Sequence, residues 1–142
     1  MTIELVPLCT ASITLAEPLF VPDTPLGTRV IAECLSFDVT GDRITAHMKG
    51  NAAADWLTID GRAQGTIDVR VLLETDDGAP IFVTYRGRLD LAGGPGAAPS
   101  YAAPLFDTGD ERYLWLNSIQ AIAKGTISDG GATLVYDMYE PR

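Results

Sequence analysis

The sequence predicts an all-β fold: a single antiparallel β-barrel, closed or nearly closed, with at most one short helix. Three observations carry this. β-branched segments alternate apolar and polar residues between Gly-rich turns, the pattern of short antiparallel strands. Apolar spacing of helical period is scarce, so there is little to cover the edges of an open sheet, and closure removes them. The chain is 142 residues, enough for one core and not for two, so residues 1–142 form one domain.

The elements follow in order. Thr28–Val39 (TRVIAECLSFDV) is β-branched and alternating. It ends at a Thr40-Gly41-Asp42 turn, and Arg43–Lys49 returns as its hairpin partner. Ala52–Leu57 has room for a helical turn. Gly65–Glu74 (GTIDVRVLLE) and Ile81–Leu91 (IFVTYRGRLDL) flank Thr75–Pro80, whose central Asp77-Gly78 favours a tight reversal. Ala92–Ser100 (AGGPGAAPS) is a loop of small residues. Tyr113–Lys124 reads as a strand or a short helix, and Gly125–Ser128, Asp129-Gly130-Gly131 and Ala132–Glu140 form a last hairpin.

Charge excludes several functions. Ten Lys and Arg stand against 19 Asp and Glu, a net charge of −9. Nucleic acids and anionic membranes draw affinity from clustered cations, so neither is an expected partner. Much of the acid lies in turns, at Asp42, Asp76-Asp77, Asp107, Asp110-Glu111 and Asp129, where it keeps a Gly-rich barrel soluble. Cys9 and Cys34 form no C-x-x-C pair and read as buried thiols. A single histidine, His47, rules out a His cluster for zinc, and the loop carboxylates lack calcium-loop spacing. No metal is expected. No dinucleotide, P-loop or nucleophile-elbow motif is present, so no cofactor is expected either. The start, MTIELVPLCT, has neither a basic region nor a long apolar run, and the expected location is cytoplasmic.

Period 2 leaves the strand faces ambiguous. On Gly65–Glu74 one face carries Ile67, Val69, Val71 and Leu73, the other Thr66, Asp68, Arg70 and Leu72. On Ile81–Leu91 Tyr85 shares a face with Ile81 and Val83, opposite Thr84, Arg86 and Arg88. Either the polar faces are solvated, with Asp68 and Arg70 a surface pair of little energetic weight, or they line a partly polar lumen able to hold one small ligand.

Several segments resemble a bacterial family known as domain-of-unknown-function family 3237. They are Ala54-Asp55-Trp56 with Asp60-Gly61; Asp68-Val69-Arg70; Asp77-Gly78-Ala79-Pro80-Ile81-Phe82-Val83 leading to Tyr85-Arg86-Gly87; Phe106-Asp107-Thr108-Gly109-Asp110 with Arg112-Tyr113 and Trp115-Leu116-Asn117; and Val135-Tyr136-Asp137-Met138-Tyr139. The family's paired glycines before Ala-Asp-Trp are replaced by Asn51-Ala52-Ala53, and His47 stands where an apolar or small residue is usual. The resemblance implies a calycin-like (lipocalin-like) barrel, often assembled as a homo-oligomer, and no agreed reaction.

It also directs attention to particular residues. Asp55 beside Trp56 is either a turn cap next to a core aromatic or an acid on a pocket wall, where desolvation raises its pKa toward neutrality. Asp55, Asp68, Arg70 and Tyr85 are the candidate catalytic groups. His47, Trp56, Trp115 and Asn117 are the candidate substrate contacts, with Asn117 alternatively satisfying backbone. Three functions remain open. The first is a cofactor-free isomerase, lyase, cyclase or epoxide hydrolase using acid/base groups on a small, mostly apolar substrate. The second is a barrel that binds a hydrophobic ligand without chemistry. The third is an assembly role, with Phe20, Trp56 or Tyr139 buried between subunits.

Overall fold

A computed structural model describes all 142 residues. Ten strands form one antiparallel sheet: β1 (Leu5–Leu15), β2 (Leu19–Thr24), β3 (Gly27–Thr40), β4 (Thr45–Ile59), β5 (Gln64–Thr75), β6 (Pro80–Asp90), β7 (Ser100–Ala102), β8 (Leu105–Asp107), β9 (Ile122–Ser128) and β10 (Thr133–Pro141). The order β1-β10-β9-β7-β6-β5-β4-β3 returns to β1 through a further β1–β3 ladder, so eight strands close a barrel. β8 extends the ring beside β6 beyond β7, and β2 lies outside it, paired only with β3.

The β3–β4, β5–β6 and β9–β10 hairpins form where alternation and turns place them. β1 and β2 carry a weaker pattern and went unread in the sequence. Ala52–Leu57 is strand, not a helical turn, because both its neighbours β3 and β5 hydrogen-bond to it. The ambiguous Tyr113–Lys124 stretch divides: Glu111–Ser118 is a 3-10 helix, and β9 begins at Ile122.

One face of every barrel strand fills the interior. Ile67, Val69, Val71 and Leu73 of β5 meet Ile81, Val83 and Tyr85 of β6 inside, all at most 4 % exposed. Each strand offers one apolar and one polar face, and the apolar one wins the interior because burial of each such side chain contributes about 1.5–3 kcal/mol, whereas an unpaired buried charge is costly. Asp68 and Arg70 therefore point outward: of the two readings the sequence left open the solvated face holds, and the expectation that they act as catalytic groups in a lumen is corrected.

β4 decides the other faces. Between Met48 and Ala53 it bulges: five residue steps on β4 oppose two on β5. The odd excess reverses which side chains point in. Ala46 faces the core before the bulge; Ala53, Asp55 and Leu57 face inward after it, and Trp56 turns out. The bulge coincides with Asn51-Ala52-Ala53.

The two ends differ. At one, the 3-10 helix inserts Leu116, 0 % exposed, under the core, and Ile119 just after the helix is buried with it. At the other, the β1–β2, β6–β7 and β9–β10 connections ring an opening.

Candidate functional site

From the open end a cavity of about 590 Å³ enters the barrel. Its walls are mainly aliphatic, with Leu15, Val30, Leu57, Ile67, Leu89, Ile127 and Leu134 from seven strands. Pro18, Pro95 and Gly130-Gly131 shape the mouth. Gly130 and Gly131 have φ of 67° and 104°, a backbone that glycine adopts without strain, and they keep the β9–β10 turn tight. No Lys, Arg or His lines the cavity; its charged residues are Asp55 in the wall and Glu17 and Asp129 at the mouth.

Asp55 is the chemically distinctive residue of this cavity. Its Oδ1 accepts a hydrogen bond of 3.0 Å from the Asp68 backbone N–H on β5. Burial raises its pKa from 3.8 to about 6, against the lowering effect of that hydrogen bond, and the Asp68 charge adds a smaller upward push. Without a cation in the lining to favour the charged form, desolvation dominates. The carboxyl thus exchanges protons near neutral pH, which suits a general acid or base.

Two tyrosines and a serine share the interior with it. The Tyr136 ring lines the cavity, and its hydroxyl accepts from Ser100 Oγ at 3.2 Å. Burial pushes its pKa to about 12. Tyr85 packs edge-on against Tyr136, ring centroids 5.6 Å apart at 72°, and burial moves its pKa well above 10. Tyr85 is inside, as the sequence allowed, but behind Tyr136 and off the cavity wall. Cys34 is buried, with a thiol raised to about 11 mainly by burial, and Cys9 is likewise a buried free thiol.

The remaining candidates lie elsewhere. Arg70 sits on the outer face with its guanidinium 4.8 Å from the centre of the Trp56 ring, and Trp56 is 40 % exposed. The indole therefore does not cover Asp55: adjacent residues of a strand point to opposite faces, and burial in the barrel is the main cause that raises the carboxyl. Asp68 reaches Asp55 through its backbone only. His47 is exposed on the outside of β4, in register with Asp38 and Glu74. Trp115 packs below the core at the closed end, under the Arg43 guanidinium at 4.6 Å, and donates from Nε1 to the Arg112 carbonyl. Asn117 is exposed; it donates to the Thr108 carbonyl and accepts from the Thr108 N–H, both at 2.9 Å, which ties the helix to the strand before it. Of the eight candidates, only Asp55 lines the cavity.

Tyr136 and Ser100 were missed. Tyr136 stood within a quoted motif, but nothing in its spacing showed that it meets Ser100, 36 residues away. The one available signal was Gly125 on β9, in register with both. A Cβ there would lie 2.6 Å from the Tyr136 ring and closer still to Ser100 Oγ, overlapping both, so glycine is what lets the aromatic lie across the strand.

Fold and site together define a small closed β-barrel, plugged at one end, with an apolar cavity that buries one carboxyl. Its sequence matches the family model described as "Protein of unknown function (DUF3237)" over residues 3–141, and the chain belongs to that family. It is similar in structure to a beta-barrel like protein from Acinetobacter baumannii AYE, with 28 % identity and a TM-score of 0.85, covering 100 % of this chain and 98 % of that one. It also matches an enzyme from Penicillium herquei at a TM-score of 0.69 and 23 % identity, covering 98 % of this chain and 94 % of that one, a likeness of fold. In sequence it is 44 % identical over 61 residues to the hydroalkoxylation enzyme phnH of Penicillium herquei, a match over 42 % of this chain and 34 % of that protein. The match thus spans about a third of that relative's length. No helix here is long and apolar enough to cross a membrane.

Proposed function

We propose that this protein is a cofactor-independent acid/base enzyme of the cyclase type, adding a hydroxyl group across a carbon–carbon double bond in a small, neutral, mostly apolar molecule. The observation that carries this reading is Asp55: a carboxyl titrating near 6 in the wall of a mainly aliphatic cavity. The related enzyme named for hydroalkoxylation supports the reaction class.

The chemistry needs one group that both takes and returns a proton. The Asp55 carboxylate accepts the proton of the substrate hydroxyl as its oxygen attacks one alkene carbon. The carboxylic acid so formed delivers that proton to the other carbon. The O–H and C=C π bonds break, a C–O and a C–H bond form, and the enzyme returns to its starting state. A pKa between those of a substrate phenol and a strong acid suits both halves. The aliphatic walls fold the substrate so that hydroxyl and alkene meet, which converts encounter into a unimolecular step.

A barrel that binds a hydrophobic ligand without chemistry is the second reading, favoured by the aliphatic lining and broad mouth. One experiment separates them. Incubation of an ortho-alkenyl phenol in D2O is expected to yield the cyclic ether with one deuterium on carbon. Asp55→Asn is expected to cut kcat by roughly 100-fold or more while leaving binding intact. Because the resting form is the carboxylate, activity rises with pH through about 6 and then levels. Full turnover by Asp55→Asn, or no cyclisation by the wild type across a panel of such phenols, rejects the enzymatic reading.

A further inference from the structure

We infer that Tyr136 is a second polar anchor of the cavity, a neutral hydrogen-bond donor for a carbonyl oxygen, so that the substrate carries a carbonyl conjugated with its reacting hydroxyl. This deepens the acid/base reading above and rests on it.

The geometry is specific. Ser100 on β7, Gly125 on β9 and Tyr136 on β10 lie side by side across three strands. Ser100 Oγ donates to the Tyr136 hydroxyl at 3.2 Å, which occupies an acceptor position of that oxygen and leaves its own proton free. No protein group accepts that proton, although Tyr136 is 1 % exposed and lines the cavity. A buried hydroxyl with an unused donor is costly to leave unpaired, and a ligand acceptor in the cavity would complete it. Gly125 leaves the room this arrangement needs: a Cβ there would strike the Tyr136 ring and Ser100. Tyr85 holds the ring edge-on from the far side. The phenol remains protonated across the physiological range, since burial and the nearby Asp55 carboxylate both raise its pKa.

The two polar groups then divide the work. Asp55 takes the hydroxyl proton; the negative charge left on the substrate spreads through conjugation to the carbonyl oxygen, where Tyr136 holds it. A donor fixed in a dry site stabilises such charge more than water does. The lining offers no cation to an ionised ligand and places Glu17 and Asp129 at its mouth, so carboxylates and phosphates are disfavoured and a neutral carbonyl compound is selected.

Two fluorescent probes of similar size test this. Prodan is a neutral naphthyl ketone whose emission moves to longer wavelength when its carbonyl accepts a hydrogen bond; N-phenyl-1-naphthylamine lacks a carbonyl. Wild type is expected to bind both, with red-shifted prodan emission. Tyr136→Phe, which keeps the ring and its packing, is expected to bind prodan roughly tenfold more weakly, the worth of one hydrogen bond, with blue-shifted emission and unchanged affinity for the amine. Ser100→Ala is expected to fall between. Equal prodan affinity in wild type and Tyr136→Phe, loss of both probes together, or no prodan binding by wild type overturns the inference. Asp55→Asn should still bind prodan with the red shift, so an Asn variant that binds the ketone yet keeps full turnover would defeat the enzymatic reading and leave the Tyr136 anchor standing.

Discussion

The closed and open ends of the barrel are built from opposite materials. At the closed end Leu116 is fully buried beneath the core, and the loops around it are laced together. Arg112 pairs with Asp110 at 2.9 Å and with Asp77 at 3.2 Å, the Tyr113 hydroxyl donates to Asp77, and Asp110 caps the helix by accepting from the Arg112 N–H. The open end has loops of Gly, Ala and Pro around a cavity into which Asp55 is buried without a counter-ion. One end spends its residues on packing and satisfied polar groups. The other leaves apolar wall unfilled and a carboxyl desolvated, and both of those oppose stability. A cavity flanked by a costly ionisable group is what the proposed site at that end requires, where a ligand would offset the cost.

That contrast breaks if the ends respond alike to substitution. Leu116→Ala is expected to have the largest effect on folding, a loss of about 2–5 kcal/mol for emptying a fully buried site. Urea denaturation would show it, while binding of N-phenyl-1-naphthylamine at the far end stays intact. A loss below about 1 kcal/mol would mean that the helix is not a plug.

Asp55→Asn should act in the opposite direction. Asp55 titrates near 6 in the folded chain against 3.8 as its ordinary value, so between those values the folded state holds a proton that the unfolded state has released. The stability this confers is present below about pH 4 and is lost as pH rises through about 6. Asn carries no such penalty. The variant is therefore expected to match wild type near pH 4 and to exceed it at pH 7–8 by up to about 3 kcal/mol, the worth of a shift of roughly two pH units. Denaturation curves at the two pH values check this, and an Asn variant no more stable at pH 8 than at pH 4, each relative to wild type, would show that Asp55 is solvated. The smallest effect belongs to the outer face. Arg70→Ala is expected to leave turnover and Prodan affinity within about twofold, because its partner is the exposed Trp56. A tenfold loss would place the site outside the barrel.

How far the sequence reached differs by element. Alternation in Gly65–Glu74 and Ile81–Leu91 and the Asp77-Gly78 turn between them were legible because period 2 and turn chemistry are local properties. β1 and β2 were not, since Pro7, Pro18 and Pro22 interrupt their pattern and their pairing is set by β3 and β10. Asp55 was legible as an acid that no turn explained. The grouping of Asp68 and Arg70 with it was not resolvable, because a one-residue change of phase exchanges the faces of a strand.

By itself the sequence determined an all-β chain, its main hairpins, an acidic surface and a short set of carboxylates with no turn to cap. Local backbone preference and hydrophobic alternation suffice for that. Only the tertiary structure decided which of these groups meet. The β4 bulge sends Asp55 inward and Trp56 out, ring closure brings Ser100 and Tyr136 to one wall across Gly125, and Leu116 fills one end while the cavity opens at the other. Each of these depends on contacts between residues far apart in the chain, whose register is set by packing the whole barrel at once.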